Sequence, residues 1–272
     1  MFARLERARR RSVSPPEGRG RREPPPRRAS SVAVTDPKQA EIDYPAAIGE
    51  EGRAWLKNKP FHHEPRMTAR LLIDFGHILQ ILDLHAGMSL VELGCGSGWM
   101  TRFAARHGLH AHGYDIAPEM IAIARELAAQ EGIEAKFDVA DMETLDLEQR
   151  FDRALLYDAL HHSRHADLVL ATARKALRPG GRLLLVEPNW KHRFQGRDAS
   201  DEYGVTEMGY SPRRLKRLLK EAGFTEITRF HNNRKRLFSN RPGEIAAHLA
   251  EPFVYRALGL FWTQTWLRAT SP

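Results

Sequence analysis

Three glycines at alternate positions, Gly94, Gly96 and Gly98, follow the acid Glu92 at the end of a short apolar run. A residue without Cβ tolerates positive φ and lets a ligand press against backbone N–H groups, so this spacing suits a cradle for a nucleotide-like ligand. Asp115, followed by Ile116, stands roughly 20 positions after Gly94, where nucleotide-binding sheets place a carboxylate that accepts both hydrogen bonds of a ribose diol. Downstream come Asp141-Met142, Tyr157-Asp158, the pair His161-His162, and Glu187. Histidine titrates near neutral pH and a carboxylate can take a proton, so His161, His162 and Glu187 are the candidate general bases, His161 first. Asp158 is a further candidate, either as a base or as a ligand for an amino group.

These residues need elements to carry them. Val91-Glu92-Leu93 reads as a strand running into the glycine turn, and a helix starts at Trp99. Leu109–Tyr114 is a second strand; Pro118 opens a helix whose apolar positions are Met120, Ile121, Ala124, Leu127 and Ala128. Residues 135–139 form a third strand and 151–157 a fourth, buried one. A helix with Leu168, Leu170, Ala173 and Leu177 on one face stops at Arg178-Pro179-Gly180-Gly181, and a fifth strand covers 182–186. Ser211-Pro212 caps a later helix, and 225–230 and 234–238 are the expected last strands. Strand–helix alternation predicts an α/β fold with a mostly parallel, doubly wound sheet. Gly94, Asp115, Asp141, Asp158 and Glu187 then share the carboxyl-end rim where such sheets bind ligands.

Two common nucleotide loops do not fit. A dinucleotide fingerprint needs a third glycine where Trp99 or Thr101 stands, and a P-loop needs a lysine that is missing. The pattern Glu92-x-Gly94-x-Gly96-x-Gly98 resembles motif I of the class I S-adenosylmethionine-dependent methyltransferases, and ALRPGGRLLLVEP (176–188) resembles a second signature of that family. The resemblance spans about residues 50–240 and implies a seven-stranded Rossmann-like sheet with one antiparallel strand near its end. It also implies S-adenosyl-L-methionine as cofactor, with Glu92, Gly94, Gly96, Gly98, Asp115, Ile116, Asp141, Met142, Tyr157 and Asp158 around it. Asp141 is expected at the adenine amino group and Met142 against the ring. The Asn-Pro-Pro-aromatic run of adenine methyltransferases and the Pro-Cys of cytosine-5 enzymes are missing, which points to a small-molecule acceptor, a hydroxyl first. The alternatives are an RNA or protein methyltransferase that docks through a basic tail, and a regulatory protein that binds cofactor without turnover.

Composition bounds the rest. Of the formal charge of +8, residues 1–35 hold +7, as ten arginines against three glutamates among prolines and serines. Such a segment cannot bury a core, so 1–36 is expected to be a disordered tail. Residues 37–87 form a helical lid segment, with Trp55, Phe61 or His62 candidates to close the site; 88–240 is the cofactor-binding domain. Residues 241–272, rich in Phe, Tyr and Trp, read as a helical extension: a packed helix, lid, dimer surface or peripheral membrane contact. No segment is long and apolar enough to span a membrane, and Cys95 stands alone, so a cytoplasmic protein without disulfides is expected. Metal-ligand spacings such as Cys-x-x-Cys are missing, so no metal is expected, and nucleic acid is not an expected partner of the folded domain.

Overall fold

Seven strands in the order β3-β2-β1-β4-β5-β7-β6 make one sheet. The computed structural model describes residues 36–190, 192, 197–230, 243 and 264–272. The strands are β1 (Ser89–Leu93), β2 (His110–Asp115), β3 (Lys136–Val139), β4 (Phe151–Tyr157), β5 (Leu177–Pro188), β6 (Thr225–Phe230) and β7 (Gln264–Thr270). The first five pair in parallel, and β7 runs antiparallel to both β5 and β6. The chain therefore reverses direction at β4, the neighbour of β1, and a crevice opens there beyond the strands' carboxyl ends.

The helices are α1 (Pro37–Ala47), α2 (Gly49–Asn58), α3 (Pro65–Leu82), α4 (Trp99–Arg106), α5 (Pro118–Gln130), α6 (Ala166–Ala176), α7 (Arg197–Tyr203) and α8 (Pro212–Glu221). Local chemistry starts several of them. Pro37, Pro65, Pro118 and Pro212 occupy first turns, where a missing N–H costs nothing, and Asp36 and Ser211 accept hydrogen bonds from Lys38 N and Arg214 N. The sheet's central strands are apolar on both faces, as parallel strands covered by helices must be. One core lies under α6 and α8, around Leu156, Leu170, Leu185 and Leu219; the other lies under α3 and α4, around Ile78, Leu90, Leu155 and Trp266.

Three expectations change. The α6 stripe that reaches the core is Ala166, Val169, Leu170, Ala173 and Ala176; Leu168 is exposed, and Leu177 begins β5 because the chain turns straight from helix into the β4 ladder. The C-terminal stretch is not helical over 264–270. It is β7, wedged between β5 and β6, and Trp266 and Leu267 are buried on its two faces. The sheet consequently takes this segment as the neighbour of β5. Residues 234–238, the tail 1–35 and most of 241–263 lie outside the described residues.

Candidate active site

A cavity of about 410 Å³ opens over the carboxyl ends of β1 and β4, floored by Glu92, Gly94, Cys95 and Gly96 and walled by Asp115, Tyr157, Asp158, Ala159, His161 and His162. The α1–α2 segment covers it with Glu41, Tyr44, Trp55, Leu56 and Lys59. A smaller pocket adjoins it, sharing Glu41, Gly94, Asp115, Met142 and His162 and adding Lys38, Ile116 and Asp141.

The glycine loop is built around Asp115. Gly94 N and Cys95 N donate to Tyr114 O, and Gly96 N donates to Asp115 Oδ2 at 2.8 Å. Ala117 N donates to Asp115 Oδ1 at 2.9 Å. Each carboxylate oxygen keeps a free lone pair, enough for two hydroxyls of a diol. Burial pushes the Asp115 carboxyl up, against its two backbone hydrogen bonds. The three glycines divide the work. A Cβ on Gly94 would sit 2.6 Å from Ala159 Cβ, so glycine here lets β1 approach the turn after β4. A Cβ on Gly96, at φ +53°, would meet nothing within 4 Å, so its backbone faces open cavity. Gly98 does not line the cavity. It caps α4 in the left-handed region, and a Cβ there would meet Ala124 Cβ at 2.8 Å, so it serves helix–sheet packing and not the ligand. Glu92 is buried beneath the loop, hydrogen-bonded by Thr101 Oγ1, and burial raises its pKa to about 7 against that bond.

Asp141 is held from two sides. Its Oδ1 accepts from Glu143 N, and its Oδ2 lies 2.6 Å from Lys38 Nζ, which also pairs with Glu143 at 2.6 Å. Lys38 thereby fastens the first turn of α1 across the smaller pocket. The Tyr157 hydroxyl donates to buried Asp74 Oδ2 at 2.7 Å, and burial and that neighbouring acid hold the phenol protonated. Asp158 sits at φ +56° directly after β4 and lines the cavity.

The histidine pair occupies a 3-10 turn, 160–162, tied down by Glu187. Glu187 is fully buried. Its Oε1 accepts from Ala159 N (3.1 Å) and Leu160 N (2.7 Å), and its Oε2 accepts from His161 N (3.2 Å) and pairs with His161 Nδ1 (2.8 Å). With four donors on two oxygens and no cavity face, Glu187 is a positioning residue and not a base, which corrects its expected catalytic role. A carboxylate on Nδ1 leaves Nε2 of His161 as the nitrogen free for the cavity. His162 Nδ1 lies 3.1 Å from Thr206 O and 3.4 Å from Glu41 Oε1. Burial pulls its pKa down, but Glu41, Glu207 and Asp158 outweigh this and push it up to about 9, so at neutral pH His162 is already protonated.

Several members of this wall have no motif. Glu41 also accepts from Thr206 N, Glu207 hydrogen-bonds His192 and lies 3.8 Å from His161 Nε2, and Lys59 Nζ stands 4.0 Å over the Trp55 ring. Each is a single polar residue delivered by long-range packing, which spacing in the sequence cannot reveal. Of the three proposed closing residues, Trp55 lines the cavity; Phe61 is exposed and His62 is hydrogen-bonded to Thr68 and Glu64.

Residues 90–181 match the methyltransferase domain family. Over these residues the chain carries a methyltransferase domain. It is 28% identical over 149 residues to the ubiquinone biosynthesis O-methyltransferase of Xanthomonas oryzae pv. oryzae (strain PXO99A), a match covering 54% of this chain and 60% of that protein. It is 34% identical over 112 residues to a Pseudomonas putida protein named as a fatty acid methyltransferase, covering 39% of this chain and 28% of the relative. Among solved structures, an S-adenosylmethionine-dependent methyltransferase from Mesorhizobium loti superposes with a TM-score of 0.55 at 22% identity, covering 73% of this chain and 97% of that one. The match thus spans about 60% of the length of the first relative. S-adenosylmethionine suits the groups present: a diol acceptor in Asp115, an open backbone cradle at Gly96, and an apolar wall from Met142 and Ile116 in the adjoining pocket. Among the described residues no helix is long and apolar enough to cross a membrane.

Proposed function

We propose that this chain transfers a methyl group from S-adenosylmethionine to a hydroxyl of a small-molecule acceptor, with His161 as proton acceptor. When bound, the cofactor supplies an already electrophilic methyl group, so the protein's share is orientation, exclusion of water and handling of one proton. Asp115 and the Gly94–Gly96 backbone bind the adenosyl part, and Asp141, Ile116 and Met142 form its adenine pocket, where Lys38 closes the entrance. Trp55, Leu56 and Tyr44 on α1 and α2 cover the cavity and shed water.

The observation that carries the reading is the Glu187–His161 pair. A fully buried carboxylate holds Nδ1, so the free lone pair of a cavity-lining imidazole is aimed by the fold and not by chance. His162, already protonated at neutral pH, cannot share that role. The relative named for O-methylation supports a hydroxyl acceptor. Calorimetry with S-adenosylmethionine, followed by a turnover screen of small hydroxylated molecules with labelled cofactor, tests it. His161→Ala is expected to bind cofactor as the parent does and to lose turnover about 10²–10⁴-fold. Unchanged turnover in that variant removes His161 from the reaction, and failure of any labelled hydroxyl product to form overturns the acceptor class.

A further inference from the structure

We propose that His161, His162 and Glu207 bind one divalent transition-metal ion, of the zinc class, in the wall of the cavity. One potential ligand atom from each residue lies within 4.8 Å of the other two. His161 Nε2 and Glu207 Oε2 are 3.8 Å apart, against about 3.4 Å between ligands of a tetrahedral zinc site, and the ion must take that oxygen from His192 Nε2, which lies 2.5 Å from it. Both imidazoles already carry the outer partner that metal-bound histidines use. Glu187 holds Nδ1 of His161, which leaves its Nε2 lone pair, and the Thr206 carbonyl, which can only accept, holds Nδ1 of His162, whose Nε2 proton the ion must displace on binding. Charge agrees with this. Glu41, Glu187 and Glu207 put three carboxylates around two imidazoles, and all but Glu187 line the cavity. Two nitrogens and one carboxylate select zinc, cobalt, iron or manganese over magnesium or calcium, which want oxygens alone. Three protein ligands leave a position open to the cavity. A hydroxyl taking it loses its proton to solvent more readily, so in the metal-bound form the ion activates the hydroxyl, and the proton-acceptor role of His161 belongs to the metal-free form alone. That consequence rests on the acceptor reading above; the binding of the ion does not.

The test is a titration of the full chain with Co²⁺, without cofactor or acceptor, following the visible d–d bands and calorimetry, with zinc-edge anomalous diffraction on zinc-soaked crystals. The parent is expected to take one equivalent, Glu207→Gln to weaken it by about tenfold or more, and His85→Asn, at an exposed histidine elsewhere, to leave it unchanged. Cofactor binding by Glu207→Gln checks its fold, and the anomalous peak on the parent needs no variant. Lack of Co²⁺ bands, an affinity indifferent to Glu207→Gln, or a peak away from His161 overturns the site. A chain that binds Co²⁺ here and methylates nothing keeps the site and loses the methyl-transfer reading.

Discussion

Replacing Glu187 by glutamine changes one atom, yet the geometry makes the cost calculable. Four N–H groups converge on two carboxylate oxygens. A glutamine has one oxygen to accept and one NH2 that donates. The backbone N–H groups of Ala159 and Leu160 cannot invert, so the amide oxygen must serve them. The NH2 then faces His161 N, which is orphaned, and His161 Nδ1, which can receive a hydrogen bond only by giving up its proton. One buried N–H left unsatisfied costs about 1–3 kcal/mol, and losing the charge on the remaining bonds costs about 1 kcal/mol each, for a loss on the order of 3–5 kcal/mol. In a chain of this size each kcal/mol moves the melting point by about 2–4 °C, so Glu187→Gln should melt roughly 6–20 °C below the parent. The second consequence is chemical. The imidazole proton moves to Nε2, so the nitrogen facing the cavity becomes a donor and stops being a proton acceptor. Scanning calorimetry reads the first effect and ¹⁵N imidazole chemical shifts read the second. A variant that melts within about 3 °C of the parent and keeps its proton on Nδ1 would refute the account of Glu187 as the anchor of this turn.

Other outcomes follow from the same site. Asp115→Ala removes both loop pins and the diol acceptor, and calorimetry should find S-adenosylmethionine bound at least tenfold more weakly, about 1.4 kcal/mol or more. Gly94→Ala forces a Cβ within 2.6 Å of Ala159 at φ +74° and should cost more than 1 kcal/mol in chemical denaturation, beyond what exposed Gly132→Ala at φ +64° costs. Glu92, raised from 4.5 to about 7 in the fold, is easier to keep neutral than charged. Its burial is therefore harmless below pH 4.5, costs stability increasingly between pH 4.5 and about 7, where the fold keeps a proton that the unfolded chain has lost, and costs a constant amount above that. Glu92→Gln should gain on the order of 3 kcal/mol on the parent between pH 4.5 and pH 8, read as diverging melting curves; parallel curves would remove Glu92 as the source. Lys38→Met frees α1 from Asp141 and Glu143, and its cofactor dissociation in stopped flow should be faster and less sensitive to salt than the parent's.

What the chain spells locally, it shows. The alternate glycines, the acid after β2 and the proline-led helices are each fixed by backbone chemistry within a few residues, so loop, acid and sheet stand where the sequence puts them. What long-range packing decides is hidden. Glu41 meets Thr206 and His162, Lys38 meets Asp141, and Asp74 meets Tyr157, pairs that no spacing rule connects. Glu187 looks like a base because it is an acid beside histidines; only its burial and its three backbone donors turn it into an anchor. The last strand misled for a related reason. Trp266 and Leu267 are buried on opposite faces of the sheet, so 264–270 lacks the alternation that marks a half-exposed strand.

The position of that strand bears on how the molecule comes to be made. β6 has β7 as its sheet neighbour, and β5 needs β7 to cover its outer edge. A ribosome delivers β5 and β6 first and the segment that joins them last. Until residues 264–270 emerge, the nascent chain holds five parallel strands with an unpaired border and a sixth with nowhere to dock. Such open borders are templates for mispairing between chains. Closing them is a late, long-range step, so shortening the chain before residue 264 should yield insoluble protein even though every residue of the glycine loop and the histidine turn has been synthesised.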